Sequence, residues 1–152
     1  MRISSKCSMA LHILVLLHVF AGRKLTGEKI AKSVGCNPVM IRSLLGKLSE
    51  AGLVETRRGA GGSVLAKPPG DITVWMVYQA VDANSFERFI GLHPKPSTQC
   101  PVGRNIYSLL EKPYDMVKSA MRGAMEDIAL EQLVDDYNMK AEATERLSNG
   151  SK

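Results

Sequence analysis

Thr26-Gly27-Glu28-Lys29-Ile30-Ala31-Lys32-Ser33-Val34, then Gly35-Cys36, then Asn37-Pro38-Val39-Met40-Ile41-Arg42-Ser43-Leu44-Leu45-Gly46-Lys47-Leu48 decides the fold of this 152-residue chain. The first run reads as a short amphipathic helix and Gly35-Cys36 as a turn. The second run reads as a helix with Asn37 as its cap and Pro38 at its first position, where a missing N–H costs nothing. Ile41, Leu44, Leu45 and Leu48 recur at helical spacing and should face a core, so Arg42, Ser43 and Lys47 point elsewhere. Val39 and Met40 lie near the exposed first turn. Beyond it, Leu53-Val54-Glu55-Thr56 and Ser63-Val64-Leu65-Ala66-Lys67 read as two strands. They flank a basic, glycine-rich tip, Arg57-Arg58-Gly59-Ala60-Gly61-Gly62. Helix, turn, helix and hairpin make the layout of a winged helix-turn-helix. Such a motif presents one helix to the major groove of DNA and a loop to the neighbouring backbone or minor groove.

Charge agrees with that layout. Residues 1–70 carry 11 Lys and Arg against 3 Asp and Glu, whereas residues 71–152 carry 9 against 12. A front half at +8 on a back half at −3 suits an anionic polymer met by one face. The glycine tip is a poor nucleotide cradle, because no Lys-Ser/Thr follows it and a strand stands where a phosphate loop needs a helix. Three cysteines without close spacing, Cys7, Cys36 and Cys100, argue against a disulfide framework and for a reducing cytoplasm. The apolar run Met9–Ala21 is too short to span a bilayer of about 30 Å and lacks the pattern of a secretory signal, so no membrane partner is expected. It reads as a buried first helix, from about Ser4 to Ala21. His12 and His18, six apart, fall on different faces of it and do not pair for a metal.

Pro68-Pro69-Gly70-Asp71 closes the wing, and Thr73 can cap a further helix carrying Val74, Val77, Tyr78 and Val81. From Asn84 to Gly103 the pattern is loop. After Pro101 a long helical stripe returns: Ile106, Leu109, Leu110, Val117, Met121, Met125 and Ile128. Pro113 either kinks this helix or restarts it. The stripe reads as a dimer seam in preference to a fold-back on helix one. Ala129–Tyr137 reads as a short acidic helix, and the residues from Lys140 onward as frayed. The expected organisation is a DNA-binding domain over 1–83, a loop over 84–103, dimerisation helices over 104–137 and a flexible tail over 138–152. The fold class is mainly α, with a small β-hairpin wing and a long C-terminal dimerisation helix.

Several stretches together resemble the Rrf-type family of bacterial winged-helix transcription regulators, which includes the iron–sulfur cluster regulator and the cysteine-metabolism repressor. These are Met1-Arg2-Ile3-Ser4-Ser5-Lys6, Ile30-Ala31, Leu44-Leu45-Gly46-Lys47-Leu48, Ala51-Gly52-Leu53-Val54, Arg58-Gly59-Ala60-Gly61-Gly62 and Pro68-Pro69-Gly70-Asp71-Ile72-Thr73. The match continues through Ala80-Val81 and Cys100-Pro101-Val102, over roughly residues 1–135. It implies a homodimer with crossed long helices, a two-fold symmetric duplex DNA operator, and a transcription regulator, in all expectation a repressor. Cluster-binding members use three cysteines and a histidine in the loop before the long helix. Here the matching positions are Arg88, Pro94, Cys100 and Gly103, so neither a cluster nor any other cofactor or metal is expected.

The candidate DNA-binding residues are Ser4 and Lys6, Thr26, and Asn37, Val39, Met40, Arg42, Ser43 and Lys47 within a recognition helix over 37–49. The wing over 57–63 adds Arg57, Arg58, Gly59, Gly61 and Gly62. Arg42 stands where an acidic residue is frequent in the family. It could hydrogen-bond guanine O6 and N7, or only touch phosphate or pair with a nearby carboxylate. Cys100 precedes a helix N-terminus, where the dipole lowers a thiol pKa. It is a candidate redox sensor, or alternatively a vestigial helix cap. A protein- or RNA-interaction module without operator choice is the alternative function. A thiol enzyme built on Cys100 lacks a nearby base, and no catalytic residue is expected.

Overall fold

The computed structural model describes residues 4–57 and 62–150. Six α-helices and one hairpin follow in order: α1 Lys6–Val19, α2 Gly27–Val34, α3 Pro38–Glu50, β1 Val54–Arg57, β2 Gly62–Leu65, α4 Val74–Phe86, α5 Pro101–Glu126 and α6 Leu130–Asn149, with a 3₁₀ turn at Pro69–Asp71. The chain is thus mainly helical with a two-stranded antiparallel wing, as the sequence predicts.

The nearly continuous apolar run of α1 makes it the central post. Ala10, Ile13, Leu14 and Leu17 are buried, and α2, α3, α4 and α6 all pack on it. Burial of this kind is the main favourable term in folding. The second and third helices supply Ile30, Ala31, Ile41, Leu44 and Leu48 to the same core, while Leu45 is only half-buried. Thr26 caps α2 by accepting from the Lys29 N–H, and Asn37 caps α3 by accepting from the Met40 N–H at 2.8 Å. Gly35 ends α2 at φ +78°, a left-handed conformation that a side chain disfavours. Its N–H closes on the Ala31 carbonyl. That turn fixes the angle between the two helices of the motif. In the wing, Val54 pairs with Leu65 and Arg57 with Gly62.

Thr73 caps α4 through the Met76 N–H. This helix runs on to Phe86, past the expected loop boundary at Asn84. Its helical geometry breaks at Asp82, and Ser85 Oγ donates to the Asp82 side chain there. The fifth helix passes through Pro113 without restarting. Lys118–Glu87 at 3.0 Å and the Arg122 guanidinium, 5.1 Å from the centre of the Trp75 ring, fasten α5 to α4. At its far end the chain returns to the head: the Val74 N–H donates to Ile128 O, and the Leu130 N–H to Ile72 O. Leu130 and Val134 are then buried, and α6 lies on α1.

The expected tail is where sequence and structure part. α6 continues to Asn149 instead of ending at Tyr137. Met139-Lys140-Ala141-Glu142-Ala143 is a run of strong helix formers, and Glu142 and Arg146 form an i,i+4 pair at 3.7 Å. Among the described residues no helix is long and apolar enough to cross a membrane.

Candidate nucleic-acid interface

The outer face of α3 is built from residues that the core does not use. With Ile41, Leu44 and Leu48 turned inward, spacing of three and four residues places Val39, Arg42, Ser43 and Gly46 on one outward stripe. All four are exposed. Beside them lies a shallow cleft of about 520 Å³ lined by Lys6, Asn37, Val39, Met40, Ser43, Leu44 and Lys47. It joins the start of α1 to the recognition helix, which brings Lys6 to the same surface. Arg57, exposed at the end of β1, stands on the wing. Gly62 closes the described part of the wing at φ +63°. Arg58, Gly59 and Gly61 lie outside the described residues.

Not every sequence candidate has a side chain free for a ligand. Ser4 Oγ accepts from the Lys6 N–H, and the side-chain oxygens of Thr26 and Asn37 are used as helix caps. Met40 is half-buried and packs against the core. Lys47 is half-buried as well, and its ammonium reaches the Val81 carbonyl at 3.4 Å, one residue before the break in α4. Sequence spacing alone gave no sign of this, because the two residues are 34 apart. Gly46 joins the exposed stripe of α3, a position that sequence reading did not include among the candidates. A Cβ built there meets nothing within 4 Å, so no internal packing calls for glycine.

The second surface is α5. None of its residues is buried. Leu109, Val117 and Ile128 are exposed, and Val102 and Met116 join them at 63% and 64% exposure. Ile106, Leu110, Met121 and Met125 are half-buried. The expected stripe therefore divides: Met121 and Met125 are half-buried, and the open part centres on Leu109 and Val117.

Cys100 is exposed at the start of α5. The backbone N–H groups of Gly103 and Val102 hold its thiol below the ordinary value. Cys7 is the opposite case: burial, with the Asp82 carboxylate adding to it, pushes that thiol up to about 11. Of the two histidines in α1, His12 is exposed and shares a hydrogen bond with Ser33 Oγ, tying α1 to α2.

Comparison with known proteins places these features. A family model described as an iron-dependent transcriptional regulator, Rrf2, matches residues 3–136. YwnA of Bacillus subtilis, which carries a provisional description as an HTH-type transcriptional regulator, is 33% identical over 87% of this chain and 96% of its own length. A solved structure provisionally described as a DNA-binding protein is 32% identical, with a TM-score of 0.67 over 85% of this chain and 98% of that one. CymR, described as the global cysteine regulator of B. subtilis, has the same fold, with a TM-score of 0.64 at 21% identity over 89% of this chain and 97% of its own.

The iron in the family description does not fit the donors of this loop. Cys100 offers one sulfur ligand, and Arg88, Pro94 and Gly103 occupy the positions where the resemblance puts its partners. Moreover, a Cβ at Gly103 would lie 2.4 Å from the Ser97 carbonyl oxygen. The loop has closed over the place where a histidine would stand. Among the described residues no group of three or more His, Cys, Asp or Glu comes together. The matched model and the YwnA alignment each span most of the chain, and on that ground it belongs to the Rrf2 family of transcriptional regulators.

Proposed function

We propose that this protein acts in the cytoplasm as a homodimer that binds a two-fold symmetric operator in duplex DNA and represses transcription there. The observation that carries the reading is the outward stripe of α3. Val39, Arg42, Ser43 and Gly46 serve no internal packing, yet they sit on the basic half of the chain beside Lys6, with Arg57 on the wing nearby. Major-groove reading needs an exposed helix face of this kind, with donors set among small residues. The wing arginines add contacts to phosphate or to a narrow minor groove. The open stripe on α5 supplies the dimer seam. A two-fold dimer then sets its two recognition helices about 34 Å apart, one helical turn of DNA.

Selection of bound fragments from random duplex by the purified protein, followed by gel-shift titration over a salt series, tests this. The expected result is a palindromic preferred site and a steep fall in affinity, with a slope near −0.9 per phosphate contact. Transcription from a promoter overlapping that site should fall when the protein is added. Equal affinity for selected and random duplex at moderate salt would reject operator recognition.

A further inference from the structure

Val39 is the least water-compatible group on the proposed DNA face. It is 68% exposed in the first turn of α3, whereas Ile41 and Leu44 on the same helix are buried. A β-branched residue there offers no cap and no gain in helix propensity. Single exposed apolar residues are common on protein surfaces. This one, however, shares the exposed stripe with Arg42 and Ser43, with Lys6 across the cleft; the apolar Met40 and Leu44 that also line that cleft are half-buried and buried. Among the four bases, the major groove offers one apolar feature, the C5-methyl of thymine. A small, stiff, apolar group framed by hydrogen-bond donors and cations is the complement of a methyl set between acceptors and phosphates.

We infer that Val39 reads a thymine in each operator half-site by packing against its C5-methyl. The inference rests on the regulator reading above and gives that site a base. Arg42 lies three residues farther along α3, about 4.5 Å along the axis. Base pairs stack about 3.4 Å apart. The thymine therefore falls within one or two base pairs of the base that faces Arg42.

The test starts from the operator selected from random duplex. Each thymine is replaced in turn by deoxyuridine, which removes the methyl and nothing else. The wild-type protein should lose affinity about fourfold per half-site at one symmetric position, the worth of one methyl taken out of water. Val39→Ser, which changes an exposed residue and should keep its helical signal, should bind the thymine and deoxyuridine operators equally. Two results overturn the inference and leave the regulator reading standing: every deoxyuridine substitution is neutral, or the methyl effect survives in Val39→Ser. If no duplex is preferred at all, both the regulator reading and the inference fall.

Discussion

Replacing Gly46 with alanine should make the protein more stable and a worse DNA binder at once. Gly46 sits inside α3, between the first and last turns, with no positive φ and with open space where a Cβ would go. Alanine at an exposed helix interior is favoured over glycine by roughly 1 kcal/mol. For a chain of this length each kcal/mol raises the melting temperature by about 2–4 °C. On the DNA side the sign reverses. By helical spacing Gly46 lies at the C-terminal end of the Val39, Arg42 and Ser43 stripe, where the bare backbone can approach DNA closely and an added methyl would hold it off. Lifting the helix weakens base contacts worth roughly 1–3 kcal/mol each, and the expected loss is on the order of tenfold in operator affinity. Thermal melts followed by circular dichroism, at fixed protein concentration, give the first number, and gel shifts on the selected operator give the second. A Gly46→Ala protein that binds as well as wild type would show that α3 stands clear of DNA at this turn. One that melts lower would refute the packing argument itself.

Four other outcomes follow from the same geometry. Leu109→Lys with Val117→Lys should give a monomer of unchanged helical content in sedimentation, because these residues are the open part of the α5 stripe; a persistent dimer would move the seam elsewhere. Lys47→Met should leave the salt slope of DNA binding unchanged while lowering stability by about 1 kcal/mol, since its ammonium is engaged by Val81 O; a slope shallower by about 0.9 would make Lys47 a phosphate contact instead. Near neutral pH, Cys100 should be alkylated well before Cys7, and equal labelling rates would contradict the opposite directions of their pKa shifts. Because the Cys7 thiol is raised when folded, its contribution to stability is complete below pH 9.0 and is lost as pH climbs through about 11, so Cys7→Ala should flatten the stability profile over that window.

Much of this architecture could be read from local chemistry. Asn37-Pro38 marks the start of α3 because capping and the first helical position are properties of adjacent residues. Ile41, Leu44 and Leu48 announce the buried face because period 3.6 is local too. What stayed hidden depends on partners distant in the chain. Nothing near Lys47 names Val81 O, 34 residues on. The Ser97 carbonyl that excludes a Cβ at Gly103 is only six residues away, but it lies in an irregular connection where no periodicity announces it. The division of the α5 stripe is of the same kind, since Met121 and Leu109 are both apolar and only their burial in the folded chain separates them. α6 was underestimated for a different reason. Its distal half buries almost nothing, so the signal that extends it is helix propensity, which is weaker than periodicity.

The paired backbone at Ile72–Val74 and Ile128–Leu130 has an evolutionary consequence. It staples both feet of the excursion formed by α4, the Glu87–Cys100 connection and α5 to one point on the head. Changes of length or chemistry in that connection need not be transmitted into α1 to α3, and doubling a flexible loop costs only about 0.6 kcal/mol. That connection can therefore vary while the winged head, which the reading proposed above sets against DNA, keeps its shape. A loop without cluster donors beside a winged head of the family's fold is the arrangement that such modularity permits.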